Sequence, residues 1–189
     1  MRRGASFANV PHIIVTGPES TGKTTLAREL AAHYGGVFVP EYARGFLGAV
    51  SRPARTSDFG HFVAAQDGLH AAAAAQLQRR GQPLAAGGTI VQDTGAEVLK
   101  LWHEDKFGAC PPAVTEAFER QSADVYLLCR PDLPWEYDPL REDPHRRGEL
   151  FTRLRRLLDE GGKRTVEVRG SGKARKAGIV DKLRGLGLA

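Results

Sequence analysis

The chain has 189 residues, 41% of them apolar and 26% charged, which suits one globular domain and excludes a disordered or collagenous chain. No run approaches the ~20 apolar residues of a membrane-spanning helix, and the apolar start is too short for a signal peptide, so an unexported, cytoplasmic protein is expected. The formal charge is +5, and the basic residues thicken after residue 140; they suit a nucleic acid or a small polyanion, and the lack of interleaved aromatics favours the small anion.

In chain order, the apolar run HIIVT predicts a buried strand. GPESTGKT follows it, and TTLARELAAHY follows that as a helix with Leu26, Leu30 and Tyr34 at helical spacing, stopped by Gly35 and Gly36. Strand, glycine-rich loop and helix together form a phosphate cradle. Its residues Gly17, Pro18, Glu19, Ser20, Thr21, Gly22, Lys23, Thr24 and Thr25 are the expected nucleotide contacts. Backbone N–H groups and the helix N-terminus attract phosphate, Lys23 reaches the β- and γ-phosphates, and the Thr24 hydroxyl can ligate Mg²⁺.

GVFVPE predicts a second strand, with PEYAR at its end as a loop. Glu41 there can accept the proton of an attacking hydroxyl, and Arg44 can bind an anion or hold Glu41; a solvated loop with a local ion pair is the alternative. A long helix over DFGHFVAAQDGLHAAAAAQLQRR ends at Gly81. TIVQD, the third strand, ends in Asp93, placed either to ligate Mg²⁺ or to cap the helix TGAEVLKLW. Trp102 on that helix packs in the core or stacks on a flat ligand.

DVYLLC predicts the fourth strand, ending in the buried thiol of Cys129; Cys129 and Cys110 are too few for a disulfide framework. PDLPWEYDPLREDPHRRG is too long for a simple turn and predicts a mobile flap, or lid, at about 139–148. It carries Trp135 and Asp138, suited to a ligand ring, and Arg141, Arg146 and Arg147, suited to charge on a transferring phosphoryl group. GELFTRLRRLLDEGG predicts a helix, TVEVRG the fifth strand, and KARKAGIVDKLRGL the last helix. Strands alternating with helices imply a parallel sheet covered on both faces, an α/β three-layer sandwich with ligands beyond the carboxyl ends of the strands.

GPESTGKTTLA, VPEYARGFL, QDTGAEVLKLWHEDKFG and YLLCRPDLPWEYDPLRED with a following RGELF, in that order, resemble the nicotinamide riboside kinase domain of NadR-type proteins over roughly residues 12–180. The phosphate loop is generic, whereas PEYAR and DLPWEYDPLRE are more specific. The resemblance implies a P-loop fold of the nucleoside and nucleotide kinase type. It implies ATP- and Mg²⁺-dependent phosphorylation of the 5′-hydroxyl of nicotinamide riboside or a related nucleoside, with nucleic acid and membrane not expected as partners. It makes Glu41 or Asp93 the base, Lys23, Arg141 and Arg147 the charge stabilisers, and Thr24 and Asp93 the metal ligands. The residues themselves suggest Glu41, Tyr42, Arg44, Trp102, Trp135 and Asp138 around the acceptor, and the resemblance places the adenine near GSGKAR.

Gly95 departs from the family pattern, which commonly has an acid there. The longer members also carry a DNA-binding module and an adenylyltransferase domain, neither of which is expected here. A kinase for another acceptor, and a regulatory NTP-binding protein with slow hydrolysis, are the rival readings.

Overall fold

A computed structural model describes residues 10–80, 88–137 and 145–188. Strands β1 (His12–Thr16), β2 (Val37–Val39), β3 (Ile90–Asp93), β4 (Val125–Cys129) and β5 (Thr165–Val168) form one parallel sheet in the order β2-β3-β1-β4-β5. These are the five predicted strands. β1, β3 and β4 are buried along their whole length, which is why apolar residues stand consecutively in each rather than alternating, with buried polar residues at the ends of β1 and β3.

The helices are α1 (Lys23–His33), α2 (Tyr42–Val50), α3 (Asp58–Arg79), α4 (Ala96–Phe107), α5 (Pro112–Arg120), α6 (Arg147–Glu160) and α7 (Gly172–Gly185). On one face of the sheet Ile13, Val15 and Leu127 meet Leu26 and Leu30 of α1 and Ile179 and Leu183 of α7. On the other, Ile14, Tyr126 and Leu128 meet Phe62 of α3, Leu99 of α4, Phe118 of α5 and Leu154 of α6. The result is the expected three-layer sandwich. None of the described helices is long and apolar enough to cross a membrane.

Two helices differ from the sequence expectation. The PEYAR loop is in fact the start of α2, with Glu41 as its N-cap residue. The segment after Gly108 forms α5, with proline at its first position and Val114, Ala117 and Phe118 buried at i, i+3, i+4 spacing.

The register fixes the site. Val15 of β1 lies opposite Asp93 of β3 and Leu127 of β4. The loop after β1 therefore emerges between the end of β3, with its acid, and the end of β4.

Candidate active site

Gly17 takes φ 141°, and a Cβ there would lie 2.6 Å from the Cys129 carbonyl oxygen, so the loop leaves β1 along a path only glycine can follow. It curls through Ser20 at φ 53° and enters α1 at Gly22 with no side-chain cap. The first N–H groups of α1 are thus left for an anion. The Lys23 ammonium crosses the loop to donate to the Pro18 carbonyl at 2.8 Å, and the Thr21 hydroxyl donates to the same oxygen at 2.8 Å.

Beside the cradle, the Thr24 hydroxyl donates to Asp93 Oδ2 at 2.5 Å, and Asp93 is 2% exposed. A hydroxyl and a carboxylate, both hard oxygen donors at the mouth of a phosphate cradle, fit Mg²⁺, which needs only one or two protein oxygens beside phosphate and water.

A cavity of about 590 Å³ runs from this loop to the start of α2 and along α4. All nine expected loop residues, Gly17 to Thr25, line it, and so do Glu41, Arg44, Leu47, Val98, Trp102 and Asp105. Glu41 keeps some solvent contact through the cavity, yet protein packs densely around its carboxyl. Burial pushes that carboxyl up to about 7; Lys23 opposes the rise, Asp93 adds to it, Arg44 opposes and Glu19 adds. Trp102 is both core and wall: it packs against Phe59 with ring centroids 5.6 Å apart, carries the Lys106 ammonium 4.7 Å from its ring, and still faces the cavity.

Other predicted residues lie elsewhere. Tyr42 is outside the cavity wall; its N–H donates to Gln66 Oε1 at 2.9 Å and its hydroxyl pairs with His61 Nε2 at 2.8 Å. Trp135 is also outside the wall, under the Arg147 guanidinium at 5.6 Å, while its neighbours Leu133, Pro134 and Glu136 line the cavity. Arg147 donates to the carbonyls of Leu133 at 2.9 Å and Ser20 at 3.4 Å, tying the start of α6 and the segment after β4 to the phosphate loop. Asp138, Arg141 and most of the expected lid lie outside the described residues.

Arg146, the N-cap residue of α6, grips Asp105 with two hydrogen bonds of 2.9 and 2.8 Å. Arg146 and Arg153 together hold that carboxyl down at about 2.

Asp105 is a cavity residue that the sequence does not single out, and Arg175 falls within the GSGKAR segment without being given a role of its own. Arg175 of α7 is 7% exposed, donates to the Thr21 carbonyl at 2.8 Å and packs against Gly22. Its signal was available, since Arg175 continues the stripe of Ile179 and Leu183 at four-residue spacing on a helix otherwise basic towards solvent. Asp105 is three residues from Trp102 on the same helix, but nothing local pairs it with Arg146.

Gly95 also finds a physical reason. A Cβ there would stand 2.4 Å from Glu97 Oε2 and 2.7 Å from the Gln121 amide, so these two side chains occupy the space. Gly95→Ala is therefore expected to destabilise the fold by about 1–3 kcal/mol through overpacking, checked by urea unfolding; unchanged stability would mean that the pair yields freely.

The strand order, the loop between β1 and α1, and the acid at the end of the neighbouring strand define a P-loop NTPase fold of the nucleoside and nucleotide kinase kind. The family model described as an AAA domain matches residues 12–175, and the chain belongs to that family. A NadR protein in complex with NR is similar at a TM-score of 0.75 and 24% identity, over 94% of this chain and 51% of that one. A NadR protein in complex with NAD and AMP-PNP is similar at 0.72 and 22%, over 95% and 50%. The chain thus spans about half the length of these NadR proteins. A thymidylate kinase from Ehrlichia chaffeensis shares the fold at 0.56 and 13% identity, over 93% of this chain and 99% of its own. No curated protein matches the chain.

Proposed function

We propose that the chain is an ATP- and Mg²⁺-dependent kinase that phosphorylates the 5′-hydroxyl of nicotinamide riboside, giving nicotinamide mononucleotide, in the cytoplasm. The observation that carries the proposal is one continuous cavity that joins the phosphate loop to a wall of Glu41, Trp102 and Asp105. The Glu41 carboxyl can hydrogen-bond a ribose hydroxyl, and the Trp102 indole offers a face to a flat ring. The NadR protein bound to NR has the same fold over nearly all of this chain, which supports the choice of acceptor.

In this reading the acceptor oxygen attacks the γ-phosphorus in line, the bond to the β-bridging oxygen breaks, and ADP leaves. Glu41 takes the hydroxyl proton: its raised affinity for protons makes it a better base near neutrality than an ordinary carboxylate. Asp93, already on the Thr24 hydroxyl, serves with Thr24 as the metal pair, and Mg²⁺ when bound neutralises phosphate charge there. Lys23 answers the charge on the β- and γ-phosphates. Arg147 holds the phosphate loop, and a guanidinium such as that of Arg141 would suit the charge on the transferring group.

Arg44 gives a second reading some weight, because a guanidinium in the acceptor wall suits an anionic acceptor such as a nucleotide. One assay separates the two. ADP release is followed with ATP and Mg²⁺, with and without nicotinamide riboside and a panel of nucleosides and nucleotides, and the product is weighed by mass spectrometry. Stimulation by nicotinamide riboside, with a product heavier by one phosphoryl group, is expected. Stimulation only by another acceptor would move the substrate, and ATP binding with no stimulation by any acceptor would overturn the kinase reading.

A further inference from the structure

Glu97 is wholly buried and lies outside the cavity, so no substrate can touch it. A buried carboxyl is costly to keep, and burial pushes its proton affinity up. It nevertheless sits in a closed set of hydrogen bonds. Its Oε1 accepts the Gly95 N–H at 3.0 Å, and its Oε2 accepts Gln121 Nε2 at 2.8 Å. Gln121 Oε1 accepts the Ala96 N–H at 2.7 Å, and the Tyr126 hydroxyl accepts Gln121 Nε2 at 3.1 Å.

The turn that these bonds grip is strained. Thr94 has φ 68°, a left-handed conformation that is an outlier for a β-branched residue. It does not hold itself there. The Thr94 N–H donates to the Val15 carbonyl at 2.9 Å, and Gln92 Nε2 donates to the Thr94 carbonyl at 2.9 Å. The next two N–H groups, of Gly95 and Ala96, are taken by Glu97 and Gln121. Strain of this kind persists only where the surroundings over-determine it. What it achieves is visible one residue earlier: Asp93 faces the Thr24 hydroxyl, with the Thr94 hydroxyl donating to its other oxygen at 3.3 Å.

We propose that Glu97 and Gln121 are a positioning pair that fixes the strained Asp93–Thr94–Gly95 turn, and so sets Asp93 against Thr24 for the metal. Gly95 is glycine because the pair fills the space a side chain would need. The proposal rests on the reading of Thr24 and Asp93 as the metal pair.

The test is direct binding, which needs no acceptor and no turnover. AMP-PNP affinity is measured by calorimetry with and without Mg²⁺, on the wild type, Glu97→Gln, and the swap Glu97→Gln with Gln121→Glu, each checked by thermal unfolding. In Glu97→Gln the new amide N–H group faces that of Gln121, and the set cannot close. The gain in affinity that Mg²⁺ brings is expected to shrink by about 10–100-fold, with metal-free binding changed by less than about threefold. The swap restores a donor opposite an acceptor at every contact, and is expected to recover most of the gain.

A folded Glu97→Gln with the wild-type Mg²⁺ gain would overturn the proposal, as would equal losses with and without metal. If the single variant does not fold, the swap decides alone: a folded swap without the Mg²⁺ gain overturns the proposal. A wild type that binds AMP-PNP equally with and without Mg²⁺ sinks instead the metal reading beneath it.

Discussion

Lys23→Ala is expected to lower kcat by at least about 10²–10³-fold while leaving a folded protein. Lys23 is the first residue of α1, where alanine is well tolerated, and among the described residues its ammonium donates to the Pro18 carbonyl. The stability lost is therefore expected to be about 1 kcal/mol or less. The loss in rate has two sources. One is the missing cation beside the β- and γ-phosphates, where charge moves during transfer. The other is electrostatic reach to Glu41, whose raised proton affinity Lys23 partly opposes. Without that opposition Glu41 binds its proton more tightly, and the variant's residual rate is expected to rise with pH over a higher range than the wild type's. ADP release under acceptor saturation, alongside thermal unfolding, checks both parts. Near-normal turnover in a folded variant would remove the phosphate-loop mechanism.

The strands were legible because each is a short, β-branched or apolar segment ended by glycine or a polar residue; the central β1, β3 and β4 are buried throughout, whereas the edge strands β2 and β5 are only partly so. The phosphate loop was legible because its chemistry is local: spacing alone places the glycines, Lys23 and Thr24. α2 was missed because PEYARGFLGAV carries two glycines, Gly45 and Gly48, and spans only nine residues, so propensity argued for a loop. Its burial of Ala43 and Leu47 against the core overrode that. α5 was more readable, since Pro112 at its start and the Val114, Ala117 and Phe118 stripe are ordinary helix signals.

The site was legible in proportion to how local each contact is. Thr24 with Asp93 followed from the motif and from the acid at a strand end. Arg146 with Asp105, and Arg175 with Thr21, join residues 41 and 154 positions apart, and neither sequence context points to its partner. Gly95 shows the same limit from the other side. Alone it reads as a lost carboxylate; beside Glu97 and Gln121 it is the space they require.

Glu41→Gln is expected to separate activity from stability in opposite directions. Glu41 caps α2 without a side-chain hydrogen bond to the helix, so glutamine sacrifices no cap. The folded Glu41 holds its proton up to about 7, above the ordinary 4.5, chiefly because it is buried. A carboxyl raised in this way favours the fold below the unfolded value, and that favour is lost as pH rises through the folded one. Across about 4.5 to 7 the wild type should therefore lose stability that the neutral variant keeps. At pH 8 the variant is expected to be more stable by on the order of 1–3 kcal/mol, and at pH 4 the two should converge. Catalysis runs the other way. If Glu41 takes the acceptor's proton, kcat falls by about 10²–10⁴-fold in the variant. The wild-type kcat/KM for the acceptor should rise with pH through a limb near 7, and the variant should lack it. Urea unfolding at the two pH values and a pH–rate profile read these effects independently. A variant that is stabilised at pH 8 but keeps both its rate and its pH limb would assign the proton to another group, and Asp93, facing the same cradle, is the next carboxylate to change.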